Sequence, residues 1–287
     1  MQTPPILTDL AALARNRARA RDPFLQTEAV VDVQERLGEV NKSFTSAAVV
    51  TPFPDLWQAG FRDARVVADA EVLPLTAEAH DLVIHAVGLH WANDPVGQLV
   101  QCRRALQPDG MLLALLFGGQ TLHELRAALA QAEAEVTGGL SPRILPMAEI
   151  RDLGGLLQRA GFALPVADSF ARRVLYRDTR HLMHDLRAMG EGNALAARLR
   201  HPTRRAVFAR TEALYRAGFS DAGLIPATFE IITLTGWAPH DSQQKPLRPG
   251  SAQQRLAEAL AAAPQAAIDT APDGSPKSTA ARDTTGG

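Results

Sequence analysis

Two uninterrupted apolar runs, DLVIHAV at 81–87 and MLLALLF at 111–117, constrain this chain more than any other feature. A strand with one wet face alternates apolar and polar residues, so runs without alternation predict parallel strands buried on both faces. Such strands need helices above and below them. Two further strands are predicted at AAVVT (47–51) and ARVVADA (64–70). The first is closed by Pro52 and Pro54, because proline cannot continue a central strand. Helices are predicted over 24–44, where Val30, Val33, Leu37 and Val40 fall at near-helical spacing, and over 55–61, 95–106, 121–137 and 149–160. Gly161 is placed to end the last of these in a left-handed conformation, and Pro108-Asp109-Gly110 reads as a tight turn. Late strands are predicted at 163–170 and 227–237, with an arginine-rich helical stretch over 178–218 between them, capping the sheet edge. The alternation predicts an α/β fold with a doubly wound, mostly parallel sheet.

This gives a domain plan of a helical lead-in over 1–44, an α/β domain over 45–262 and a tail over 263–287. From Pro264 onward the chain has too few large aliphatic residues to offset ordering entropy, so the tail is expected to be disordered. A formal net charge of −1 argues against a nucleic-acid partner. The single cysteine, Cys102, excludes an internal disulfide and a cysteine-built metal cage, and reads as a structural thiol. No apolar run approaches a membrane span, and the N-terminal segment lacks an apolar signal core. Its arginines at 15, 17, 19 and 21 are expected in a basic, solvated turn ending a helix. The default location is cytoplasmic, compatible with peripheral association at the inner face of the membrane.

Ligands of open parallel sheets sit beyond the carboxyl ends of the strands. That rule selects Asp69 and Ala70 after the second strand, and His85, Gly88, His90 and Trp91 after the third. Phe117, Gly118 and Gly119 follow the fourth, at the rim. A carboxylate such as Asp69 can accept from an adenine amino group or a ribose hydroxyl, although a turn acid is an equal reading. Packing alone accounts for a His-Trp pair at least as well as catalysis does. His181 and His184 share a helix face, but no third metal ligand converges on them in the sequence. The basic stretch 198–210 reads as a solvated face, with an acidic partner or lipid headgroups as the alternative.

The segments DAEVLPL, HDLVI…LHW and RRALQPDGMLL resemble, in that order, the adenine-side motif, the fourth motif and the turn before the fifth strand of class I S-adenosylmethionine (SAM)-dependent methyltransferases. The resemblance implies a Rossmann-like methyltransferase fold. More narrowly, FGGQTLHELRAALAQAEAEVTGGLSPRILP, MGEGNA (189–194), PATFEIITLTGW (226–237) and RPGSA (248–252) resemble the methyltransferase-like assembly factors of respiratory complex I, whose mitochondrial members are arginine hydroxylases. The likeness runs from about residue 8 to about residue 255. It implies an assembling complex I subunit as partner, and places Glu191 and Asn193 of the MGEGN segment toward a bound peptide or ligand.

The chain departs from the methyltransferase pattern at its first strand. The family's acidic-x-Gly-x-Gly turn is replaced by AAVVTPFPDLW, which has no glycine to let backbone amides approach a cofactor carboxylate. Only 18 positions separate Thr51 from Asp69, room for one crossover of about 10–12 residues but not two. The sheet is therefore expected to be short of one strand, and with it of the acid that holds the ribose hydroxyls. Asp55 and Asp63 are the only substitutes in reach. These departures predict altered or lost SAM binding, hence a pseudoenzyme or changed cofactor use. Two other functions stay open: an active SAM-dependent methyltransferase on a small molecule or carrier protein, and a non-catalytic binding scaffold.

Overall fold

The computed structural model describes residues 6–243. Its sheet has six strands: β1 (Ala47–Thr51), β2 (Arg65–Ala68), β3 (His80–His85), β4 (Leu106–Phe117), β5 (Ala163–Tyr176) and β6 (Ile225–Trp237), in the spatial order β2-β1-β3-β4-β6-β5. The first four pair in parallel, while β6 runs antiparallel to both β4 and β5. A single helix, α3 (Pro54–Gly60), joins β1 to β2, and β2 is the sheet edge, so the sheet stops one strand early as the spacing required.

The helices are α1 (Leu10–Arg17), α2 (Phe24–Glu39), α3, α4 (Pro95–Ala105), α5 (His123–Thr137), α6 (Ile150–Arg159), α7 (Thr179–Ala188) and α8 (Arg205–Phe219). Strand side chains alternate between two cores. Val49, Leu82, Ile84, Leu113 and Leu115 pack with residues of α2, α5, α7 and α8. Ala48, Val50, Val83, Leu112 and Leu116 pack with residues of α4 and α6. A continuous apolar run is therefore needed, because residues 82–85 of β3 and 111–117 of β4 are buried on both sides of the sheet. Gly161 closes α6 at φ +83°, where a Cβ would be strained.

Four predicted features differ. The helix expected over 24–44 ends at Glu39, where Val40 turns to extended backbone. Pro108-Asp109-Gly110 lies inside β4 as a bulge, with His80 opposite Leu106 and Leu82 opposite Met111; Asp109 takes φ +63° and is held by Lys42 Nζ at 2.9 Å. β5 continues to Tyr176, well past 170, because it pairs with β6 along its whole length. The 178–218 stretch is two helices with an irregular segment over 189–204, and Leu182, Val207 and Tyr215 cover a face of the sheet at Phe229 and Ile231, not its edge. The tail over 263–287, the boundary at 262 and RPGSA lie outside the described residues.

Candidate functional site

The site forms where α1 crosses the carboxyl ends of β1, β2 and β3. Asp9 caps α1 by accepting from the Ala12 amide at 3.0 Å, and Ala12 and Leu13 pack with Trp91, Leu145, Ala194 and Leu195 in a small separate cluster. The MGEGNA segment clamps the helix. Gly190 has φ +83°, and a Cβ there would lie 3.1 Å from the Arg17 Cα, so glycine is needed both for the turn and for the close approach. Asn16 Nδ2 donates to the Gly192 carbonyl at 2.9 Å.

This docking buries Arg17. Its Nη1 donates to Asp69 Oδ2 at 2.9 Å, with side-chain exposures of 9% and 7%. The turn expected to be solvated thus delivers one arginine to the centre of the molecule, while Arg15, Arg19 and Arg21 remain exposed. Gln98 organises the other side of Asp69: its Nε2 donates to the Ala70 carbonyl at 2.9 Å and its Oε1 meets His85 Nε2 at 3.0 Å. That amide orientation makes His85 the donor through Nε2. Burial holds the His85 imidazole below its ordinary pKa, against the pull of Asp69. Burial also opposes ionisation of Asp69, yet His85 and Arg17 hold its carboxyl below the usual carboxylate range.

A second buried carboxylate faces the other way. Glu191 Oε2 accepts from Trp91 Nε1 at 2.6 Å and lies 3.4 Å from His90 Nε2, and its side chain is 11% exposed. Burial works against its charge, and His90, Arg17 and Trp91 overcome that and keep it below the usual glutamate range. Oε1 carries no hydrogen bond among the described residues. The His90 ring in turn packs on Phe117, centroids 4.7 Å apart. Val87, just before this turn, has φ +41°, unusual for a β-branched residue. Gln26 Nε2 donates to its carbonyl at 3.2 Å, while Gln26 Oε1 accepts from Trp57 Nε1. Strain of this kind costs of order 1–3 kcal/mol and is held by its surroundings, often at functional turns.

Two spaces flank this cluster. A groove of about 920 Å³ is lined by Leu13, Arg17, Pro52, Asp69, Ala70 and Trp91. A cavity of about 200 Å³ is lined by Trp91, Phe117, Leu125, Met147, Glu191 and Asn193, among others. Trp91 belongs to both walls. Of the residues expected at the site, Asp69, Ala70 and Trp91 meet the groove, and Trp91, Phe117, Glu191 and Asn193 meet the cavity. His85 is enclosed and reaches neither, and His90 stands behind Glu191. The three glycines make room for carboxylates of the protein itself. A Cβ on Gly88 would lie 2.4 Å from Asp69 Oδ2, on Gly118 2.4 Å from Glu230 Oε2, and on Gly119 2.5 Å from Glu149 Oε1. Asn193 secures its loop, donating to the Pro142 carbonyl and accepting from the Leu195 amide. Arg17 and Gln98 had no local signal in the sequence.

The turn after β1 is poor in backbone donors for a cofactor carboxylate. Pro52 and Pro54 have no N–H, and the Phe53 N–H is taken by Thr51 Oγ1 at 3.0 Å. Asp55 and Asp63 are exposed and do not line the groove. Asp69, the acid expected on the adenine side, is paired with Arg17. No group of three or more metal-binding side chains converges among the described residues. His181 packs edge-on against Tyr176, while His184 faces the space between α7 and α8. Cys102 is buried, which pushes its thiol up to about 12.

A family model described as "Methyltransferase domain" matches residues 12–114. The chain is 41% identical over 196 residues to "Arginine-hydroxylase NDUFAF5, mitochondrial" of Homo sapiens, covering 67% of this chain and 56% of that protein. It is 44% identical over 180 residues to the protein of the same name from Dictyostelium discoideum, covering 62% of this chain and 41% of that protein. To the malonyl-[acyl-carrier protein] O-methyltransferase of Methylovorus sp. (strain MP688) it is 33% identical over 211 residues, covering 73% of this chain and 67% of that enzyme. The chain thus spans well under two thirds of the length of these two arginine-hydroxylase relatives.

Proposed function

The chain belongs to the class I methyltransferase-like family, and from that premise we propose that it is an assembly factor of respiratory complex I that receives an arginine side chain of an assembling subunit. The observation that carries this reading is Glu191: a buried carboxylate with one oxygen fixed by Trp91 and His90, lining a cavity whose other walls are largely apolar, with Arg143, paired to Glu133, and Arg187 as the cations among them. Such a cavity suits a long aliphatic stem with a cationic tip, and a guanidinium offers the fork of donors that a carboxylate accepts. In this reading the modification is the arginine hydroxylation for which the relatives are named, one atom of dioxygen entering the side chain and the other leaving as water with two electrons and two protons from an external reductant. The residues described supply binding and orientation: apolar walls for the methylenes, Glu191 for the charge, and His90 and Trp91 to hold Glu191 still. SAM binding is altered or lost, and the protein acts in the cytoplasm, peripheral to the inner face of the membrane. The lead-in over 1–44 serves the site through α1 rather than standing apart from the domain that begins at 45.

The methyltransferase alternative draws on the groove beside Asp69, which is roomy enough for a nucleoside. Deleting the gene in its host separates the two. The proposal expects reduced NADH:quinone activity in membranes, restored by the wild-type gene but not by Glu191→Gln, with no new biotin requirement. A biotin requirement with unchanged membrane activity overturns it in favour of methyl transfer to a carrier protein.

A further inference from the structure

On the far side of the Glu191 cavity from Trp91, α7 and α8 enclose a third space, a cleft of about 1000 Å³. Arg180, His184 and Arg187 reach it from α7, and Arg205 and Arg216 from α8, around an apolar floor of Met183 and Phe208. The two carboxylates in the cleft are already engaged. Asp178 caps α7 by accepting from the His181 amide at 2.7 Å. Glu212 accepts from the Thr179 amide and hydroxyl at 2.8 and 2.7 Å and pairs with Arg216. Arg180, Arg187 and Arg205 have no carboxylate within salt-bridge distance among the described residues, and all three are exposed. Three guanidinium groups without an ion-pair contact around one concavity contribute repulsion to the folded chain and a focused positive potential to whatever approaches it, which Asp178 and Glu212 offset in part. Phe208, 39% exposed, adds an apolar surface among those charges. Met183, Arg187 and Phe208 also line the cavity that ends at Glu191, so the two spaces share a wall.

We propose that the α7–α8 cleft is a docking groove for an acidic, amphipathic peptide segment of a protein partner. Its carboxylates pair with Arg180, Arg187 and Arg205, and its apolar side chains rest on Met183 and Phe208. The charge pattern also matches anionic lipid, but a bilayer presents a plane of charge, whereas these arginines line a concave cleft that an extended or helical segment enters. The identity of the partner as a complex I subunit rests on the function proposed above; the chemistry of the cleft does not.

The test is fluorescence anisotropy with a short fluorescein-labelled peptide of glutamate pairs alternating with leucine pairs. Its lysine-for-glutamate counterpart is the control, and co-sedimentation with phosphatidylglycerol vesicles runs in parallel. Saturable binding of the acidic peptide alone is expected, weakening as salt rises. The Arg180→Glu/Arg205→Glu double variant is expected to weaken it roughly tenfold or more, since reversed charges repel the same carboxylates. Should that variant lose its folded circular-dichroism spectrum, Arg180→Gln/Arg205→Gln replaces it, with Arg180→Lys/Arg205→Lys retaining binding. Absence of peptide binding, or binding indifferent to the substitutions, overturns the proposal; so does vesicle binding that depends on these arginines while the peptide fails. Peptide binding that survives a negative gene-deletion result removes the complex I reading and leaves the cleft. A positive deletion result without peptide binding removes the cleft alone.

Discussion

Replacing Arg17 by alanine tests whether α1 belongs to the site. The pair it makes with Asp69 is nearly enclosed, with exposures of 9% and 7% and a separation of 2.9 Å, so solvent screening offers little relief. Its loss leaves the Asp69 carboxylate with a 3.4 Å contact to Gln98 Nε2 and a neutral His85 at 3.9 Å. Breaking a buried pair from one side costs about 3–5 kcal/mol. At about 2–4 °C per kcal/mol for a domain of this size, Tm falls by about 6–20 °C. Asp69→Ala is expected to cost a similar amount, because Arg17 Nε and Nη2 already lack partners. The Arg17→Leu/Asp69→Leu double variant is expected to lie much closer to wild type, since an apolar pair carries no desolvation penalty. The sign with pH follows from Asp69, whose carboxyl is held low in the folded state. The pair's contribution is complete above the unfolded carboxylate pKa of about 3.9 and disappears as pH falls through the lower folded value. Wild type and Arg17→Ala therefore differ at pH 7 and converge only in strong acid. Urea denaturation across pH measures this. A loss below about 1 kcal/mol for Arg17→Ala at pH 7 is the behaviour of a surface ion pair and would refute the burial argument.

The remaining predictions concern neighbouring groups. Gly88→Ala is expected to cost about 1–3 kcal/mol by thermal unfolding, because the new Cβ would meet Asp69 Oδ2 and that carboxylate is tethered; an unchanged Tm contradicts the tether. His85, held neutral by burial, has a folded pKa below its unfolded value near 6.5, so its contribution is present above about pH 6.5 and lost as pH falls below. His85→Gln should flatten the stability profile below about pH 6.5, and an unaltered profile removes His85 as its cause. Calorimetric titration with SAM to millimolar concentration is expected to give no saturable heat. Micromolar binding abolished by Asp69→Ala would restore a working cofactor site despite Pro52 and Pro54.

The sheet was legible where both faces of a strand are buried. β1, β3 and β4 fall within two residues of their expected positions, apart from the start of β4, because no alternation competes with the apolar signal. β5 was half-legible: it is an edge strand with exposed Leu164, Val166 and Leu175 and pairs with one neighbour, so its continuation depends on β6 rather than on its own pattern. The shortened β1–β2 crossover was readable as arithmetic. The site was readable as a set of strand ends but not as a set of contacts. Arg17 meets Asp69 across 52 residues and Trp91 meets Glu191 across 100, and neither spacing carries a local signal. The glycines show the limit most clearly: Gly88, Gly118 and Gly119 stand at the strand ends where a ligand was expected, and the space beside each holds a carboxylate of the same chain.

The central claim is that an arginine of a complex I subunit reaches Glu191 and is modified there. Complex I purified from the host, its deletion strain and a strain carrying Glu191→Gln can be digested and its arginine-containing peptides weighed by mass spectrometry. The account predicts one arginine heavier by a single oxygen atom in the wild type and unmodified in the other two. The same oxygenated arginine in all three strains, or none in any, contradicts it.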